Sequence, residues 1–104
     1  MEAVGWKTGA PDISSGAGFG IKIKQEDRDA FFKRNWLTVR IEIAPGKTVS
    51  VSISKSFWGN CPELRSKSLG KWMLERGLAP WPKSNPPKLS LEPFGDGIFR
   101  LGKP

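Results

Sequence analysis

Apolar and polar side chains alternate with a period of two through much of residues 19–54. Phe19, Ile21 and Ile23 fall on one side of an extended chain, and Gly20, Lys22 and Lys24 fall on the other. Alternation of this kind marks a strand with one buried face. Residues 25–29 then read as a charged connection, and Ala30, Phe31 and Phe32 as a short helical turn. A second run places Leu37, Val39, Ile41 and Ile43 inward against Trp36, Thr38, Arg40 and Glu42 outward. A third places Val49, Val51 and Ile53 inward against Thr48, Ser50, Ser52 and Ser54. Ala44-Pro45-Gly46-Lys47 separates these two runs, with proline and glycine at the central positions that a type II turn requires. The pair therefore predicts a hairpin.

The period changes after Ser56–Cys61. Pro62 suits the first position of a helix, with Asn60 or Cys61 beside the cap and Glu63 in the first turn. The pattern predicts a helix over 62–76 that stops at Gly77. Ser66, Leu69, Gly70, Met73, Leu74 and Gly77 share one side of it, and the small residues let it approach a sheet closely. Lys67 and Lys71 lie one turn apart on one flank, while Arg65, Trp72 and Arg76 form a ridge on the other. Pro80, Pro82, Pro86 and Pro87 exclude helix and central strand over 79–87 and make that connection stiff. Leu89 and Leu91 alternate with Lys88, Ser90 and Glu92 as a fourth strand. Gly95-Asp96-Gly97 supplies a tight turn, and residues 98–101 form a short fifth strand. The order β-β-β-α-β-β defines an α+β class: a small antiparallel sheet or partly closed barrel with one main helix packed on it. Residues 1–18 are rich in Gly, Ser and Ala and read as a flexible N-terminal arm before a single domain over 19–104.

Composition narrows the chemistry. Among 104 residues there is no histidine and one cysteine. This excludes serine–histidine–aspartate and cysteine–histidine catalysis, histidine-ligated metals, disulfide frameworks and zinc fingers. No stretch approaches the roughly 18 consecutive apolar residues of a membrane span, and residues 1–18 lack the apolar core of a secretory signal. The expected address is cytoplasmic, in keeping with a lone thiol, and neither a membrane partner nor a cofactor is expected.

Local motifs offer little catalysis. Gly46-Lys47-Thr48 resembles the end of a phosphate-binding loop, but position 41 is Ile41 and a strand follows, so a hairpin turn is the better account. Cys61 lies near the predicted helix start with Arg65 and Lys67 nearby, an arrangement that lowers a thiol pKa. With no histidine to act as base, it reads instead as a buried structural cysteine. The carboxylates are scattered and form no metal-binding cluster.

Charge gives the strongest signal. The net charge is +7, from 17 Lys and Arg against 10 Asp and Glu. Residues 1–30 hold four basic and five acidic side chains, so the excess lies beyond residue 30. It is densest from Arg65 to Lys88, where six basic residues face the single acid Glu75. Five tryptophans are interleaved with this charge, a combination suited to phosphates and unpaired bases. The leading expectation is a non-catalytic nucleic-acid-binding or nucleic-acid-associated accessory protein. Arg34, Arg40, Lys55, Arg65, Lys67, Lys71, Arg76 and Lys83 would contact phosphates. Trp36, Trp58, Trp72 or Trp81 would stack, if exposed. The alternatives are a protein-interaction adaptor using the Pro/Trp loop 79–87, a homodimer through a sheet edge or the sheet face, and a small-molecule-binding domain. Catalysis ranks third.

Overall fold

The computed structural model describes residues 1–103. Seven strands form one mixed sheet, nearly closed into a barrel. They are β1 (Glu2–Lys7), β2 (Phe19–Ile23), β3 (Thr38–Ala44), β4 (Lys47–Ser52), β5 (Glu63–Arg65), β6 (Lys88–Gly95) and β7 (Ile98–Gly102), in the order β4-β3-β7-β6-β1-β2-β5. The two edge strands β4 and β5 approach each other across the seam. Every neighbouring pair is antiparallel except β3 and β7, which are parallel, so the sheet is mixed rather than purely antiparallel. No helix is long and apolar enough to cross a membrane among the described residues.

The alternating runs fold as their pattern dictates. Phe19, Ile21 and Ile23 point inward, as do Val39, Ile41, Ile43, Val49, Val51, Leu89, Leu91, Phe99 and Leu101. Gly46 has the positive φ that its turn demands, at 73°. Leu37 departs from the pattern: it lies ahead of β3 and is 82% exposed, while Trp36, expected outside, packs against the core. Trp36 leaves the alternation because Phe32 and Phe99 offer it edge-on aromatic contacts.

Three segments correct the reading from sequence. The expected flexible arm is instead largely ordered, and its first part is β1, lodged between β6 and β2. Its inward positions are Ala3 and Gly5, too small to register as an apolar alternation. The smallness is required, because a Cβ on Gly5 would lie 2.6 Å from Pro87 Cδ and 3.1 Å from the Trp81 ring. The charged connection after β2 is a helix, α1 (Gln25–Phe31), with Glu26 and Asp27 in its first turn, where the helix dipole favours acids. The predicted helix over 62–76 begins later. Glu63–Arg65 pairs with β2 as β5, turning Leu64 fully inward, and α2 spans Lys67–Glu75. Ser66 is the true cap, accepting a hydrogen bond from Leu69 N at 3.0 Å. The helix does end at Gly77, whose φ is 73°. Leu78 N donates to Met73 O at 2.8 Å and Gly77 N to Leu74 O at 3.2 Å, the paired bonds of a Schellman cap.

The two ends of the barrel are closed by different groups. α1 follows the C-terminal end of β2, and there Phe32, Trp36, Phe57 and Phe99 make an aromatic plug. At the other end α2 seats against the start of β2, burying Leu69, Gly70, Trp72 and Met73. The loop between β1 and β2 folds under α2. Asp12 organises it, its carboxylate accepting from Ser14 N, Ser14 Oγ and Ser15 Oγ at 2.9, 2.6 and 2.9 Å. The Ser14 side-chain bond foremost, with the other Ser14 and Ser15 bonds, lowers the Asp12 pKa to about 2 from the usual 3.8. A depressed folded-state pKa means that this turn's stabilisation is present above the unfolded value and lost as pH falls through the folded one. The Asp12 carboxyl carbon is therefore expected to titrate near 2 by NMR, with the Ser14 amide shifting in step. A midpoint near 4 for both would show that the turn is not held this way.

Candidate functional site

The basic and aromatic residues singled out by sequence do not converge on one face. Trp36 belongs to the aromatic plug at the α1 end, and Arg34, Lys55 and Trp58 lie beside it. Arg40 lies on the outer face of β3, in register with Ser50 and Ile98. Arg65, Lys67, Lys71, Trp72 and Arg76 belong to β5 and α2 at the opposite end. Trp81 and Lys83 follow in the proline-rich connection. The expected interface thus divides into two clusters on the two ends of the barrel.

The tryptophans are not open platforms. Trp72 is 8% exposed, and Trp6, Trp36, Trp58 and Trp81 are half-buried. Each carries a cation over its ring: Arg65 on Trp6 at 5.3 Å, Lys33 on Trp36 at 5.9 Å, Arg34 on Trp58 at 4.6 Å, Arg76 on Trp72 at 5.9 Å and Lys7 on Trp81 at 5.5 Å. The cation–π attraction places a positive charge at the surface with its stem already ordered by the indole. Trp6 and Lys7 lie in the segment read as an arm, so their part in this arrangement is a finding of the fold. Trp6 is paired with Gly20 across β1 and β2, and the missing side chain opens the way for its ring toward Arg65 on the next strand. Trp81, the expected adaptor anchor, is half-buried and packs its ring edge-on against Phe19 at 5.7 Å.

Not every arginine is available to a ligand. Arg28 is 5% exposed. Its Nη1 donates to Phe57 O at 3.0 Å and to Gly59 O at 2.6 Å, and its Nε to Asp29 at 3.0 Å. It clamps the 3₁₀ turn Lys55–Trp58 onto α1 and is structural. Of the 17 Lys and Arg side chains, only Arg28, Lys33 and Arg100 have a carboxylate within 4.0 Å among the described residues. Arg65, Lys67, Lys71 and Arg76 are all exposed and all lack such a partner. On α2, Lys67 and Lys71 share the outward side opposite Leu69 and Met73. Arg65 and Arg76 flank them, each steadied on its indole.

Cys61 differs from expectation. It is exposed rather than buried, and it lies on the strand side of Ser66 rather than at a helix start. Partial desolvation first, and then the charge of Glu63, push its thiol pKa up, opposite to an activated nucleophile. Glu63 itself is 8% exposed. Its Oε1 accepts from Ser56 Oγ at 2.7 Å, whereas Oε2 is buried without a partner. No group of three or more Cys, Asp and Glu side chains converges on a metal-sized site among the described residues.

Comparison with family models, with curated proteins and with solved structures returned no match.

Proposed function

We propose that this is a cytoplasmic, non-catalytic nucleic-acid-binding accessory protein whose phosphate-contacting surface is the outward side of α2 with its flanks. The observation that carries the reading is the row Arg65, Lys67, Lys71 and Arg76: four exposed cations on one short stretch, none ion-paired. Cations left unpaired by the protein's own carboxylates are available to phosphates, and releasing condensed counterions drives such binding. Glu75 is the one acid within this stretch. Arg34 and Lys55 at the other end, with Arg40 on the outer face of β3, would serve as a second, separate contact along a longer strand. Because each indole is half-buried or buried and covered by its own cation, base stacking contributes little, and binding follows the backbone with weak sequence preference.

Fluorescence anisotropy with single- and double-stranded oligonucleotides tests this. Four phosphate contacts on duplex DNA correspond to a slope of about −3.6 in log affinity against log salt, or roughly a 50-fold loss between 50 and 150 mM salt. The double substitution Lys67→Glu and Lys71→Glu is expected to abolish most binding at low salt and to flatten the slope. No saturable binding at 50 mM salt, or binding that ignores salt, would remove the proposal.

A further inference from the structure

A cleft of about 450 Å³ opens where the C-terminal end of α2 meets the barrel, and its size lies within the roughly 300–1,000 Å³ of small-molecule sites. Its walls are apolar: Ile43, Leu89 and Leu101 from three strands, with Trp72 and Leu78 from α2 and its cap. The Schellman cap fixes this geometry, because the Leu78 N–H bond to Met73 O turns Leu78 back over the opening. The cap also satisfies the Met73 and Leu74 carbonyls, so these do not confront a bound anion as free acceptors. Arg76 stands at the rim, steadied on Trp72, with Lys103 beside it. Among the described residues no acidic side chain lines the cleft. Glu42, in an adjoining depression that shares Ile43, Arg76 and Leu101, is occupied by Arg100 at 2.8 Å.

An apolar pocket with cations on one rim is complementary to one class of ligand. We infer that this cleft binds a small amphipathic anion, its hydrocarbon body against Trp72, Leu78, Leu89 and Leu101 and its acidic head at Arg76 and Lys103. The cleft shares Arg76 with the proposed phosphate row but not Arg65, Lys67 or Lys71, so the double substitution Lys67→Glu and Lys71→Glu is expected to leave dodecanoate binding unchanged whatever it does to oligonucleotide binding.

The test uses the full chain and dodecanoate below its micellar concentration, followed by calorimetry and by the indole N–H signals in NMR. Dodecanoate is expected to bind saturably at one site and to shift the Trp72 indole first. Dodecanol, which keeps the chain and lacks the charge, is expected to bind about tenfold more weakly. Arg76→Gln, a change at an exposed side chain, is expected to weaken dodecanoate about tenfold and to leave dodecanol unaffected. Lys22→Gln, on the outer face of β2, should change neither. Absence of saturable binding, equal affinity for acid and alcohol, indifference to Arg76→Gln, or shifts that spare Trp72 would each overturn the inference.

Discussion

Gly70→Ala is expected to destabilise the protein by about 3 kcal/mol, the upper part of the range for overpacking a close contact. The sign opposes intrinsic propensity, since alanine for glycine in an unconstrained helix interior stabilises by about 1 kcal/mol. Packing reverses it here. A Cβ on Gly70 would overlap the carbonyl oxygen of Gly16 and lie 2.8 Å from that residue's carbonyl carbon. Neither neighbour is a flexible side chain that swings away; both are backbone. Relief therefore requires α2 to lift from the loop between β1 and β2, which exposes Leu69 and Met73, both fully buried in the native chain. For a domain of this size each 1 kcal/mol lowers the melting temperature by roughly 4–8 °C, so a drop of more than 10 °C is expected. Urea unfolding should show a lower midpoint with an unchanged slope. A melting temperature equal to or above that of the parent would mean that α2 is not seated on Gly16. The substitution also bears on function, because the seating of α2 fixes where Lys67 and Lys71 project.

What the sequence made legible follows from how each element is stabilised. β2, β3, β4, β6 and β7 bury large side chains on every second position, so period two exposes them directly. β1 was hidden because its inward residues are Ala3 and Gly5, chosen by the crowding of Pro87 and Trp81, which only the folded chain reveals. β5 was hidden because Pro62, Glu63 and the following leucine satisfy helix-start rules locally; the open edge of β2 outcompeted them, and Ser66 capped the helix instead. α1 looked like a charged linker because its one buried polar residue is Arg28, whose burial depends on carbonyls about 30 residues away. For the site, the cation density around α2 was plain in the sequence. The division of the basic residues between the two barrel ends was not, since it depends on strand order, and the pairing of each indole with a cation joins residues as distant as Trp6 and Arg65. The cleft beneath Leu78 was likewise out of reach, being formed by three strands and a helix cap.

Phe99→Ala is expected to carry the largest single cost, about 4 kcal/mol, at the centre of the range for removing a buried phenylalanine. Phe99 is 1% exposed and stacks on Phe32 with centroids 4.6 Å apart and planes 13° apart, while Trp36 meets it edge-on at 6.2 Å. Phe32 in turn contacts Phe57 at 4.9 Å. The ring is thus the floor on which the plug rests, and its loss leaves a cavity bordered by rigid aromatics that collapse poorly. Total stability for a small domain is about 5–15 kcal/mol, so the variant retains only a fraction of it. Phe99→Leu keeps much of the volume and is expected to cost less than half as much. Because Arg28 holds Phe57 O and Gly59 O, loosening Phe57 should also release the 3₁₀ turn and the Arg34–Trp58 pair. Urea denaturation of both variants, with amide exchange across 55–59, measures the two effects together. Phe99→Ala costing under 1.5 kcal/mol, or leaving exchange at 55–59 unchanged, would show that the plug does not hold this end of the barrel closed.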